Sequence, residues 1–204
     1  MTDILFSFRR CPYAMRARWA LLMTNQFVVL REVLLSKKPK ELLKFSPKGT
    51  VPVLVTDNGF VIEESLDIMR WALNKYDPTN ILFNGDKEAQ NEINSMIKLN
   101  DGMFKYSLDR YKYSQLYIAS EREQHQKNAR KILLDWNLRL SLSKNGFWLV
   151  KDQESLADWC IWPFVRQYRI ANPNCFDEDK ELGAVKKWLD FYLTHKNYSQ
   201  LMKK

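Results

Sequence analysis

GTVPVLVTDNGFVIEES, residues 49–65, holds two short apolar runs separated by a turn and followed by an acidic helix start. VPVLVTD and GFVIEE have the length and β-branched content of strands. The Asn58-Gly59 pair between them is a hairpin signal, because glycine accepts the positive φ such turns need. Pro52, between Val51 and Val53, cannot donate to a sheet ladder and marks a special backbone geometry at the entrance to the strand. A cis bond there would turn the Val51 N–H and C=O outward, ready to pair with an extended peptide-like ligand. The local sequence alone does not establish it, since cis is the minority state of X-Pro bonds.

Working outward, DILFSF (3–8) alternates polar and apolar residues and reads as a strand. Pro12 to about Asn25 carries apolar residues spaced for a helix buried on one side, and FVVLREVLL (27–35) reads as a second strand. A short helix at KPKELLKF and a turn at SPKG lead into the hairpin, and SLDIMRWALNKY (65–76) follows as a helix. The order is β-α-β-α-β-β-α, ending at Asp77-Pro78. From Lys87 onward the pattern is helical, with amphipathic stretches over 88–108 and 121–142 and a breaker at Asn145-Gly146. Ser155-Leu156-Ala157-Asp158 has the S-x-x-D spacing of a helix capping box. These patterns divide the chain into a small α/β domain (1–76), a linker (77–87) and an all-helical domain (88–204).

The 204 residues are 46% hydrophobic and 27% charged, with 6 Gly and 7 Pro, the balance of a globular chain able to bury a core. No apolar run approaches the roughly 20 residues that span a bilayer, and MTDILFSF lacks the marks of a signal peptide. Neither a membrane association nor secretion is expected, and a cytoplasmic location follows by default. The net charge of +8 is spread evenly: 12 Lys and Arg against 8 Asp and Glu up to residue 80, and 20 against 16 beyond it. An even excess suits small anions and gives no nucleic-acid groove. Cys11, Cys160 and Cys175 form no CxxC pair or disulfide framework, and His125 and His195, read as surface helix residues, lack neighbours for a metal site. No metal is expected.

In RRCPYAMRAR (9–18), Pro12 suits the first position of a helix, which puts Cys11 at the helix N-terminus. A thiol there is biased toward the thiolate, with Arg9, Arg10, Arg16 and Arg18 adding positive charge. On position alone Cys11 is equally well an inert small hydrophobe. Glu63-Glu64-Ser65 is equally open. With Ser65 as N-cap the helix start could hold a carboxylate and an acidic neighbour an ammonium, or the segment is an ordinary helix start.

Taken together, C-P-Y-x-x-R at 11–16, G-x-V-P-V-L at 49–54, E-S at 64–65 and S-L-A-D at 155–158 resemble the cytosolic glutathione S-transferases. Of these, the omega class and its bacterial relatives are the most similar. The resemblance implies a thioredoxin-like N-terminal domain followed by a helical bundle, and a glutathione site. Val51 would pair through its backbone with the cysteinyl part, with Pro52 cis. Glu64 and Ser65 would hold the γ-glutamyl end, Lys38 would meet the glycyl carboxylate, and Cys11 would face the glutathione sulfur. A cysteine at position 11 implies mixed-disulfide chemistry on a small disulfide or electrophilic substrate. With Ala14 where dithiol relatives have a resolving cysteine, glutathione itself would be the second reductant. The resemblance also implies a homodimer. Two other readings are a non-catalytic interaction protein built on this fold, and a transferase conjugating glutathione to electrophiles without Cys11 chemistry. Tyr106, Tyr111, Tyr113 and Trp162 are aromatic residues of the helical half whose spacing fits core better than pocket.

Overall fold

The computed structural model describes residues 2–144 and 147–204, so the Asn145-Gly146 breaker lies outside the described residues. The chain forms two compact units, one of residues up to Pro78 joined by Lys196–Lys204, the other Thr79–His195. The sequence patterns placed the last nine residues with the helical domain, whereas here they complete the first unit. A short helix gives the pattern no sign of the unit it will join.

The first unit runs β1 (Ile4–Ser7), α1 (Pro12–Met23), β2 (Val29–Glu32), α2 (Lys40–Phe45), β3 (Val53–Val55), β4 (Val61–Ile62) and α3 (Ser65–Lys75). The sheet order is β2-β1-β3-β4, with β1 parallel to β2 and antiparallel to β3, and β3 antiparallel to β4. Leu5 stands opposite Leu30 and Leu54. The pleat puts Phe6, Val53 and Val55 on one face, where they cluster with Val33 and with Leu42 of α2. Leu5 and Leu54 point to the opposite face, and α1 and α3 pack on each other. At the hairpin, the Thr56 N–H donates to Phe60 O at 2.9 Å and Gly59, at φ +84°, donates to Thr56 O at 2.9 Å. That is a three-residue loop closed by a left-handed glycine.

Two expectations change. α1 is buried on every side and not only one, since each residue from Ala14 to Leu21 is inaccessible, Arg16 and Arg18 included. β2 spans four residues and not the nine of FVVLREVLL. It is an edge strand, and the apolar flanks Phe27 and Leu34 are 89% and 67% exposed, so nothing pairs or packs against them to extend it.

The second unit holds α4 (Lys87–Leu99), which passes through a π-helical turn (Asn100–Phe104) into α5 (Lys105–Lys112), then α6 (Arg122–Leu142), α7 (Leu156–Ala171), α8 (Pro173–Asp177) and α9 (Gly183–Thr194). α7 is the core helix, every residue from Leu156 to Val165 being buried. The capping box stands at its start. The Asp158 carboxylate accepts from the Ser155 N–H at 3.0 Å and the Ser155 hydroxyl at 2.6 Å. It also accepts from the Leu149 N–H at 3.1 Å and from Trp188 Nε1 of α9 at 3.0 Å. Burial nevertheless outweighs these donors and pushes the Asp158 carboxyl up to about 7. Tyr111 and Trp162 are core residues, while Tyr106 and Tyr113 are largely exposed. His125 is buried and not a surface residue. No helix among the described residues is long and apolar enough to cross a membrane.

Candidate functional site

Cys11 is the N-cap of α1, in extended conformation, with Pro12 at the first helical position. Its N–H donates to Phe8 O at 2.9 Å, closing the Phe8–Cys11 turn, and its C=O accepts from the Met15 N–H at 2.9 Å, opening the helix. The thiol is therefore held at the positive end of a 12-residue helix. Sγ lies 3.9 Å from the carbonyl oxygen of Val51, forty residues away in sequence.

The Val51–Pro52 peptide is cis. The strand begins only at Val53, and the Val51 N–H donates to no described residue, so one edge of this backbone remains open beside the thiol. Immediately upstream, the Gly49 N–H donates to Ser46 O at 2.8 Å with Gly49 at φ +60°. A Cβ at Gly49 would lie 3.0 Å from Lys38 Cδ and 3.3 Å from Lys38 Nζ. The glycine thus serves two needs, a left-handed turn and a bed for the lysine stem. Lys38 makes no hydrogen bond or ion pair with any described residue, which leaves its ammonium available to an anion.

At the start of α3 the N-cap is Glu64, not Ser65, and no side chain caps the helix. Ser65 is its first residue, and its hydroxyl and N–H have no partner among the described residues. The shift of one residue follows from Glu64 being the last with extended backbone. Glu63 accepts a 2.5 Å hydrogen bond from the buried Ser46 hydroxyl, which fixes the loop to the helix start. Glu64 accepts from Lys48 Nζ at 2.6 Å, a bond that raises the Lys48 ammonium above its usual range.

Residues 46–51 therefore connect the whole candidate set. Ser46 reaches Glu63, Lys48 reaches Glu64, Gly49 seats Lys38, and Val51 meets Cys11. The sequence reading named Cys11, Lys38, Val51, Pro52, Glu64 and Ser65 as candidates and did not name Ser46 or Lys48. Opposite charges separated by sixteen residues give no local signal, although a polar turn facing two consecutive glutamates was the available hint. The arginines expected to add positive charge near Cys11 differ in burial. Arg16 is fully buried with its guanidinium 5.3 Å from the Tyr13 ring, and Arg18 is buried against Ser7 at 2.6 Å, leaving Arg10 as the exposed member. Of the other cysteines, Cys160 is buried and Cys175 accepts from Gln126 Nε2 at 3.0 Å. Neither lies in the unit that carries the site.

A mixed four-stranded sheet with helices, continued by an all-helical unit, is the architecture of the glutathione S-transferase fold. Residues 5–80 match the family model for the glutathione S-transferase N-terminal domain. A probable glutathione transferase of Aplysia californica is 40% identical over 55 residues, covering 27% of this chain and 60% of that protein. Glutathione transferase Omega 3C of Trametes versicolor superposes with a TM-score of 0.82 at 18% identity, covering 100% of this chain and 90% of that one. Glutathione S-transferase-I bound with lactoylglutathione superposes with a TM-score of 0.80 at 20% identity, covering 99% of each chain. A Tau class enzyme from mango reaches 0.82 as well, so these likenesses carry the fold and not the omega class. The likeness to a glutathione S-transferase N-terminal domain thus rests on sequence over residues 5–80, and the chain as a whole shares the fold of these structures.

Proposed function

We propose that this protein binds glutathione and acts through Cys11 as a glutathione-dependent thiol transferase. The observation that carries the reading is the Cys11 thiol at a helix N-terminus, 3.9 Å from the Val51 carbonyl, beside a Val51 N–H with no protein acceptor. An extended tripeptide laid along Val51 would complete that backbone pairing and bring its own sulfur to Cys11. Lys38 would take the glycyl carboxylate. The N–H groups of Ser65 and the first turn of α3 would take the γ-glutamyl carboxylate, and Glu64 its ammonium, in exchange for Lys48. The lactoylglutathione-bound glutathione S-transferase that shares this fold supports the choice of ligand.

In the reaction, the Cys11 thiolate attacks the glutathionyl sulfur of a mixed disulfide. A Cys11–glutathione disulfide forms, and the substrate sulfur leaves as a thiolate that takes a proton from water. A second glutathione thiolate then attacks the glutathionyl sulfur on Cys11, releasing oxidised glutathione and restoring the Cys11 thiolate. One free glutathione is consumed for each mixed disulfide reduced, the other half of the oxidised glutathione coming from the substrate. The N-terminus of α1 favours the Cys11 anion both as attacker and as leaving group. No metal is required at any step. A cytoplasmic, homodimeric enzyme completes the proposal, the dimer being checked by sedimentation.

The test is glutathione-dependent reduction of a small glutathionyl mixed disulfide by wild type and Cys11→Ala. Activity in the wild type and its loss in the variant are expected. Equal activity in both would transfer the role to conjugation without Cys11, and absence of both activity and glutathione binding would leave a non-catalytic interaction protein.

A further inference from the structure

Arg18 uses its whole guanidinium group inside the first unit. Nε donates to Ser7 Oγ at 2.6 Å, and Nη1 donates to the carbonyls of Leu201 at 2.9 Å and Lys203 at 2.7 Å. Nη2 pairs with Glu32 Oε2 at the end of β2. The other oxygen of Glu32 accepts from the backbone N–H of Arg9 at 3.0 Å. Arg9 occupies the Phe8–Cys11 turn, two residues before the cysteine.

We infer that Arg18 and Glu32 are positioning residues for Cys11, forming a relay that ties the C-terminal tail to the turn that presents the thiol. This rests on the proposed role of Cys11. From within, the turn is closed by the hydrogen bond from the Cys11 N–H to Phe8 O. From outside, Glu32 holds it, and Glu32 is oriented by a buried cation with carbonyls of the tail on its far side. Releasing Glu32 leaves the Arg9 N–H without its acceptor, and the turn can then rotate Cys11 away from Val51 and off the axis of α1. The thiolate would lose its alignment with the helix N-terminus while the sheet stays intact. A displacement of an ångström at a reacting atom is enough to cost one to two orders of magnitude in rate.

The variants are Glu32→Ala, which removes both links, and Arg18→Lys, which keeps a cation at the site but cannot make all four bonds. Val33→Ala serves as control: its side chain is buried in the cluster of Phe6, Leu42, Val53 and Val55, and the substitution keeps the backbone N–H that donates to Ser7 O at 2.7 Å. Each is assayed for mixed-disulfide reduction and for the pH profile of iodoacetamide alkylation of the Cys11 peptide, followed by mass spectrometry. In both relay variants the alkylation midpoint should rise by about half a pH unit or more. Their kcat should fall about tenfold, with KM for glutathione moving less than about twofold. Val33→Ala should lower the melting temperature and move neither. Unchanged midpoints in the relay variants, or an equal shift in Val33→Ala, would overturn the inference. Should wild type lack the disulfide activity, the proposed function fails while the alkylation profile still decides the positioning.

Discussion

Replacing Gly49 by alanine tests the candidate site without touching a residue proposed to bind ligand. At φ +60° a non-glycine residue costs about 1–2 kcal/mol. The new methyl would stand 2.9 Å from Leu43 Cδ2 and 3.0 Å from Lys38 Cδ, so both must move by a few tenths of an ångström. Both side chains are exposed and can yield toward solvent, so the fold survives. At about 2–4 °C per kcal/mol for a chain of this size, the melting temperature should fall by roughly 2–8 °C. The functional cost is separate. Displacing the Lys38 ammonium removes a charge-assisted contact worth about 1 kcal/mol at an exposed lysine, or about fivefold in the Kd for glutathione. Calorimetric titration of wild type, Gly49→Ala, Lys38→Met and the double variant should show that loss in each variant at low salt. No further loss should appear in the double variant, and the difference from wild type should vanish at about 0.5 M salt, where an exposed contact is screened. A folded Gly49→Ala protein with wild-type affinity, or losses that add in full, would refute the seating of Lys38 on Gly49.

Three further outcomes are expected. Glu64→Gln should weaken glutathione about fivefold and leave a glutathione analogue lacking the α-amino group unaffected; equal losses would remove Glu64 from the ammonium site. Asp158→Ala loses a helix cap worth about 1 kcal/mol and strands the Leu149 N–H and Trp188 Nε1–H at about 1–3 kcal/mol each. Chemical denaturation should therefore show a loss of roughly 3–7 kcal/mol, and a loss below about 1 would contradict the network. Because Asp158 is pushed up to about 7, the folded state holds a proton there that the unfolded chain has already released. Its contribution to stability is thus full at low pH and falls as pH rises through that value. The stability difference between wild type and Asp158→Asn should shrink from about pH 4 to pH 7 and level off above it, and a difference independent of pH would refute the shift.

What was legible in the chain was local. The Cys11-Pro12 helix start, the hairpin at Asn58-Gly59 and the Ser155–Asp158 cap each depend on neighbours within a few residues. The thioredoxin-like order of elements followed from them. What escaped depended on distant partners. Arg16 and Arg18 look like surface charge in RRCPYAMRAR, because nothing nearby announces that Glu32 and two carbonyls near residue 200 will enclose Arg18. Lys48 and Ser46 escaped for the same reason, their acceptors lying on the far side of the hairpin. The excess length given to β2 and the N-cap given to Ser65 are boundary errors. An apolar run does not say where pairing stops, and either of two adjacent polar residues can begin a helix.

The tail that completes the first unit also sets an order on the making of the protein. Arg18 leaves the ribosome early, while the carbonyls that enclose it follow 183 and 185 residues later. At roughly 5–20 residues per second that interval is on the order of 10–40 s. The helical unit, unbroken from Thr79 to His195, has all its residues before then. The unit that carries Arg18 is therefore finished after the helical one, and during synthesis water must stand in for residues 201–203 at Arg18. A nascent chain halted short of Leu201 would carry an open seam beside the turn that presents Cys11.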